Sequence, residues 1–437
     1  MARKVFISFL GTNNYVETYY ELEGKKTPHS VRFVQEALIG FIINKSWTEN
    51  DRIFIFCTKE SRDKNWKDNG HQQTASEIEK EGLQGRLERK NLLPKIEPVL
   101  IPEGFSEDEI WQIFNTVYGK LEQGDEIYFD VTHAFRSIPM FSTVLFNYAS
   151  FLKGTTLKSI HYGAFEKLGV AFEVKKMPME NRVAPVLNLT SLIELQNWTS
   201  AANEFINFGS AKRLQEMTMD EIKPILIKTQ GRDEISSQLR NSLNNINELA
   251  ANIKTNRGLK IIGGSSNFGN IKQQLIAPLT PILDIIENDV KDFKLNDVQN
   301  MFVSVKWCID KNLVQEGFTL LQEGIIAMFL PNDYATENKR NFVSGYLSRY
   351  ENNDFDDSKY DLSDDEKETL KKDLKSNCKL PELANIFSQI SVVRNDINHA
   401  GFRQNPMSAT RFNKRLDELY KETEIILSQN NHSNITV

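Results

Sequence analysis

The sequence predicts a doubly wound α/β domain followed by an all-helical half, and three observations predict it. Short apolar or β-branched runs alternate with helical periodicities as far as residue 178. Beyond Pro178 and Pro185 the strand pattern stops and helical segments follow one another. With 437 residues the chain also exceeds what one hydrophobic core organises, so two or three domains are expected.

The strand-like runs are residues 4–10 (KVFISFL), 52–57 (RIFIFC), 97–101 (EPVLI), 125–131 (DEIYFDV), 156–162 (TLKSIHY) and 170–174 (VAFEV). Helical patterns lie between them at 30–44, 74–91, 107–122 and 135–153, and the capping box Ser106-Glu-Asp-Glu109 opens the third. Strand alternating with helix implies a sheet that is parallel through at least its first four strands. The last two runs, joined by the short GAFEKLG, read as a hairpin at a sheet edge. The second half opens near the capping box Ser191-Leu-Ile-Glu194 and is interrupted by GLKIIGGSSNFGN at 258–270. It resumes after the acidic stretch 351–366 at Ser363-Asp-Asp-Glu366.

Composition narrows the function classes. A chain that is 40% hydrophobic and 26% charged is an ordinary globular one. A net charge of -6 argues against broad charge-driven nucleic-acid binding but leaves room for a small RNA cleft. No apolar run approaches the roughly 20 residues that cross a bilayer, and VFISFLG after the N-terminal Arg-Lys reads as a first strand rather than an export signal. The three scattered cysteines, Cys57, Cys308 and Cys378, fit a reducing cytoplasm, where the protein is expected to be soluble. No His/Cys group has metal-ligand spacing, so no metal is expected.

In an open parallel sheet, ligands sit beyond the carboxyl ends of the strands. Two loops are expected there. After the first strand comes Ser8-Phe-Leu-Gly11-Thr12-Asn13-Asn14-Tyr15, where Gly11 admits close backbone approach, Asn13 tolerates left-handed geometry and Tyr15 offers a flat surface to a base. After the fourth comes Asp130-Val-Thr132-His133-Ala134-Phe135-Arg136-Ser137-Ile-Pro139. Thr132 there reads as an N-cap that aims a helix dipole at an anion, with Arg136 and Ser137 adding a charged fork and a hydroxyl. By chemistry alone, each loop reads equally as a plain capped turn.

The string DVTHAFRSIP resembles the signature that follows the fourth strand of CARF domains in CRISPR-associated proteins, and SFLGTNNY is similar to their first loop. The resemblance extends over residues 1–178 and implies a Rossmann-like, ligand-sensing domain. Such domains dimerise, and their paired loops bind a cyclic tetra- or hexa-adenylate as allosteric activator. Carried over by position, Ser8, Gly11, Thr12, Asn13, Thr132, His133, Arg136 and Ser137 become ligand contacts. Ala134 stands where related sequences often have Gly, which puts the path of that loop in question.

The second half contains Ser391-Val-Val-Arg394-Asn395-Asp396-Ile397-Asn398-His399-Ala-Gly401. Arg and His separated by four residues is a loose pattern, and by itself it reads as a surface Arg and a helix-end His. With Asn395 it gives R-N-x-x-x-H, which is similar to the signature of HEPN ribonucleases, all-helical domains that act as dimers. The resemblance implies a HEPN domain at 301–437, with 179–300 as an intervening helical segment. On one helix, positions five apart differ by about 140° and about 7.5 Å, so Arg394 and His399 converge only through a kinked helix end or across a dimer.

The chemistry expected is attack of an RNA 2'-OH on the adjacent phosphate. His399 would serve proton transfer, Arg394 the phosphoryl charge and Asn395 orientation. Single-stranded RNA is then the substrate, a homodimer or higher oligomer the working form, and stable DNA or membrane binding is not expected. A further expectation is slow cleavage of the cyclic ligand in the sensing pocket, with His133, Ser137 or Thr12 as candidates. The alternative from another class is a non-catalytic, ligand-responsive transcriptional regulator, which would need a basic helix-turn-helix that this sequence does not display.

Overall fold

A computed structural model describes residues 2–72, 80–133, 138–264, 280–330, 333–377 and 379–431. The chain divides into two compact units, Met1–Glu194 and Leu195–Val437.

The first unit is built on an eight-stranded sheet of order β3-β2-β8-β7-β6-β1-β4-β5. Its elements run β1 (Lys4–Leu10), β2 (Tyr19–Leu22), β3 (Lys25–Lys26), α1 (Val34–Ile42), β4 (Arg52–Cys57) and α2 (Lys59–Ser61), which continues into a π-helical turn at Arg62–Trp66. Then follow α3 (Leu83–Glu88), β5 (Lys95–Leu100), α4 (Glu107–Lys120), β6 (Glu126–Asp130), α5 (Ile138–Lys153), β7 (Thr156–Gly163), α6 (Ala171–Val174) and β8 (Val183–Asn188). Strands β5, β4, β1, β6 and β7 are mutually parallel.

Alternation along β1 explains why it lies mid-sheet. Phe6 and Leu10 pack on one face with Val34, Ala37 and Leu38 of α1 and Leu83 and Leu87 of α3. Val5, Ile7 and Phe9 pack on the other with Ile113, Phe114 and Val117 of α4 and Leu145, Phe146 and Ala149 of α5. Helix α4 begins as its sequence predicts, the Ser106 hydroxyl accepting from the Glu109 N–H at 3.2 Å.

The edge of the sheet differs from expectation. Residues 170–174 form no strand: they make the short helix α6, with Val174 buried and Phe172 69% exposed. The antiparallel partner of β7 is β8, in the register Tyr162↔Leu187, and β8 in turn pairs in parallel with β2. Pro185 sits inside β8, where it gives no N–H and serves only as an acceptor, its carbonyl taking the Ala164 N–H at 2.9 Å. So β7 is not an edge strand, and the sheet takes a strand from beyond residue 178. The sequence reading also passed over β2 and β3, a hairpin turned by Glu23 and Gly24 at φ 51° and 78°.

The second unit is helical among its described residues. Helix α7 (Thr190–Phe208) leads into α8 (Lys212–Lys228), α9 (Glu234–Lys254), α10 (Gly258–Gly263), α11 (Thr280–Val290), α12 (Asn300–Asp310) and α13 (Val314–Met328). After these come α14 (Glu337–Arg349), α15 (Asp364–Ser376), α16 (Leu380–Asn398) and α17 (Phe412–Asn431). The predicted capping box at Ser363 and Glu366 opens α15. One hydrophobic core runs from Trp198 to Tyr420, so residues on either side of position 300 share it. No described helix is long and apolar enough to cross a membrane.

Candidate functional site

The strand order reverses at β1. After building the β2–β3 hairpin at the far edge, the chain lays β4 beside β1 and β5 outside it, then returns to place β6 on the other side of β1. A crevice beyond the carboxyl ends of such strands is where open α/β sheets bind ligands. A cavity of about 480 Å³ lies there, lined by Asn13, Tyr15, Tyr20, Arg32, Thr132, His133, Tyr162 and Glu166 among others.

Each wall has a cause in the local chain. Asp130, fully buried at the end of β6, accepts from the Ser8 hydroxyl at 2.7 Å and from the Thr132 N–H at 2.9 Å. Burial raises the Asp130 carboxyl above its usual range. The Thr132 hydroxyl accepts from the Gly163 N–H at 2.8 Å, tying the loop after β6 to the end of β7. A side chain at Gly163 would strike Val34, its Cβ falling 2.4 Å from Cγ2. The His133 ring packs on Tyr15, centroids 4.5 Å apart, and burial lowers its pKa to about 4, so the imidazole is neutral near pH 7. Tyr15 also meets Phe33 edge-on at 5.7 Å.

The loop after β1 is held from the β4 side. Asn65, buried in the π-helical turn, donates to the carbonyls of Gly11 and Asn13 at 2.8 and 2.9 Å. Its Oδ1 accepts from Arg32 Nη2 at 3.3 Å and lies 3.2 Å from His71 Nε2. A Cβ at Gly11 would fall 2.3 Å from the Tyr15 hydroxyl, so glycine at 11 is what allows Tyr15 to lie against the loop.

Of the predicted ligand contacts, Asn13, Thr132 and His133 line the cavity. Ser8 lies beneath it, fully buried and committed to Asp130 and Gln35. Gly11 shapes the wall through Tyr15 and Asn65 rather than lining it, and Thr12 is not among the lining residues. Arg136 and Ser137 lie outside the described residues, as does the stretch that a Thr132 cap would serve.

In the helical unit, Arg394 and Asn395 fall on the last turns of α16 and His399 follows as its C-cap. Arg394 is half-buried and donates to Gln322 Oε1 of α13 at 3.0 Å, and Gln322 in turn donates to the Ser391 hydroxyl at 3.0 Å. Asn395 and His399 are exposed. His399 is the C-cap, and the chain turns away through Ala400 and Gly401 at φ 54° and 72°, Gly401 N–H bonding the Asp396 carbonyl at 2.9 Å. Because α16 stays helical to Asn398, one chain keeps Arg394 and His399 on faces about 140° apart. No cluster of three metal-ligating side chains occurs among the described residues.

Residues 5–166 match the family described as "CRISPR system endoribonuclease Csx1, CARF domain". The N-terminal unit is similar to a CARF domain. Over 229 residues, 52% of this chain, the sequence is 28% identical to the CRISPR-associated protein MJ1674 of Methanocaldococcus jannaschii. That alignment spans 33% of the relative, so the chain matches about a third of its length. Together the two matches make the N-terminal unit similar to the CARF domain of a CRISPR-associated protein. The CARF match covers the lining residues of the cavity except Ala171, while α16 lies outside it.

Several lining residues of this CARF-like unit escaped the sequence reading. Tyr20 belongs to the overlooked hairpin, and Tyr162 and Glu166 flank the end of β7, bonded to each other at 2.5 Å. Arg32 stands just ahead of α1, far in sequence from either loop. Its signal was tertiary, and no motif flagged it.

Proposed function

We propose that the chain is a cyclic oligoadenylate-activated, metal-independent endoribonuclease of type III CRISPR antiviral defence that cleaves single-stranded RNA. The observation that carries this reading is the cavity at the β1/β6 crevice, lined by CARF-matching residues and Ala171. Tyr15, Tyr20 and Tyr162 supply aromatic lining against which adenine could pack, and Arg32 offers a charge for phosphate. A cyclic tetra- or hexa-adenylate combines both features.

The nuclease half of the reading rests on R-N-x-x-x-H at the end of α16. The 2'-OH attacks the neighbouring phosphorus, the bond to the 5'-oxygen breaks, and a 2',3'-cyclic phosphate and a 5'-hydroxyl result. One proton leaves the 2'-OH and one reaches the departing oxygen; His399 serves this exchange. Arg394, oriented by Gln322, neutralises the equatorial oxygens, and Asn395 holds the phosphate by hydrogen bonds. Since one helix separates Arg394 from His399, the working site combines motifs of two chains. Ring binding activates by favouring the dimer arrangement in which these motifs meet.

The test is incubation of the purified full chain with single-stranded RNA in EDTA, adding cyclic tetra-adenylate or hexa-adenylate. One ring should switch on cleavage giving 2',3'-cyclic phosphate ends, with DNA left intact. Arg394→Ala and His399→Ala should each lower the rate at least about a hundredfold while the ring still binds. Absence of cleavage with either ring would overturn the reading.

A further inference from the structure

Two guanidinium groups lie side by side behind the candidate pocket, and their partners are unequally divided. Arg86 takes the carboxylates, pairing with Glu17 at 2.6 Å and Glu36 at 3.3 Å. Arg32 is the more deeply buried, with 5% of its surface exposed, yet forms no ion pair among the described residues. The described hydrogen bonds of its guanidinium go to neutral acceptors, the Glu81 carbonyl at 3.2 Å and Asn65 Oδ1 at 3.3 Å, while its backbone N–H donates to the Glu36 carboxylate at 3.2 Å. Its Nε is buried without a partner. Burial, and next the neighbouring Arg86, disfavour the charged form and lower its pKa.

Glu17 and Glu36 partly offset this, but both carboxylates are paired with Arg86, so the Arg32 charge is poorly compensated and an anionic ligand would complete it. Arg32 lines the cavity together with Tyr15 and His133, and the neutral imidazole of His133 contributes no positive charge near pH 7. Asn65 fixes the guanidinium and the Gly11–Asn13 backbone at once, so cation and loop are presented as one rigid unit.

We propose that Arg32 is an anion-binding residue of this pocket, held by Asn65 to engage a phosphodiester oxygen of the ligand. The inference rests on the reading of the cavity as a nucleotide site. A guanidinium suits the task because its forked donors match two phosphate oxygens and because it stays charged in a buried site. Lysine would keep the charge but lose the fork.

The experiment compares the wild-type full chain with Arg32→Gln and Arg32→Lys, by calorimetric titration with cyclic tetra- and hexa-adenylate and by thermal melting with inorganic pyrophosphate. Arg32→Gln should weaken binding of the preferred ring by about thirtyfold, the loss of one charge-assisted contact, and abolish stabilisation by pyrophosphate. Arg32→Lys should recover part of the affinity. Unliganded Arg32→Gln should melt no lower than wild type, because a residue kept for its ligand does not support the empty fold. Ring affinity within threefold of wild type in Arg32→Gln would overturn the proposal. So would an unliganded melting point several degrees lower with no recovery in Arg32→Lys, since that pattern marks structural support. If wild type binds neither ring, the nucleotide reading fails, and the pyrophosphate comparison decides Arg32 alone: stabilisation lost in Arg32→Gln sustains it, and equal behaviour overturns it.

Discussion

His133 shows how one position can couple the pocket to pH. Its folded pKa of about 4 lies below the usual 6.5, so between those values the unfolded chain binds more protons than the folded one. Stability from this group is complete above about pH 6.5 and is lost as pH falls through 4. Asp130, raised by burial, works in the opposite sense, its contribution shrinking as pH rises through its folded pKa. Subtracting a variant isolates the histidine: His133→Phe keeps a ring against Tyr15 and removes the titration. Urea unfolding at pH 7, 5.5 and 4.5 should show wild type losing stability relative to His133→Phe on acidification, and parallel pH profiles would contradict this. The same residue shows what was legible in sequence. Asn13, Thr132 and His133 stand in loops that follow strands, and strand ends could be read. Ser8 sat in the same string, but strand alternation turns it onto the Phe6 and Leu10 face, beneath the cavity. Arg32 could not be read, because its partners come from the π-helical turn, through Asn65, and from the Glu81 carbonyl just ahead of α3.

At the level of elements, legibility followed the length and purity of the apolar pattern. β1 and β4 are unbroken buried runs and appear where expected. β8 was hidden by Pro185, a residue that argues against a strand with neighbours on both sides, and β3 spans only two residues. The reverse error, VAFEV as a strand, comes from β-branched composition overridden by a helical turn after Gly169 at φ 110°. In the second unit, helix packing brings α13 against α12, α16 and α17. Gly317 is where α13 comes closest: a Cβ there would fall 2.3 Å from Leu416 of α17 and 3.2 Å from Cys308 of α12. Gly317→Leu should therefore lower stability by about 1–3 kcal/mol through overpacking. A shift of the denaturant midpoint, with an unchanged slope, would record it. An unaltered midpoint would mean that α17 can move aside freely.

For the whole molecule, the separate cores matter most. The α/β unit has apolar clusters on both faces of its sheet, and the helical unit has its own core. A ligand of the CARF-like unit binds only the folded state, and at a hundred times its Kd adds about 2.7 kcal/mol to whatever unfolds with the pocket. Calorimetric melting with saturating ring should raise the transition of the α/β unit. If the helical unit melts in a second transition that stays fixed, the units unfold independently. A common upward shift would instead place both in one cooperative transition, as a transmitted signal requires.

The pocket is assembled from pieces distant in sequence: Asn13 to Val16, Tyr20, Arg32, Thr132 and His133, then Tyr162 to Ala171. During synthesis no part of it exists as a site until the last of these has left the ribosome and β7 has joined the sheet. The motif on α16 follows roughly 220 residues later, about 10–45 s at bacterial-like elongation rates of roughly 5–20 residues per second. Birth order therefore completes the CARF-like pocket of each new chain before the α16 motif is made.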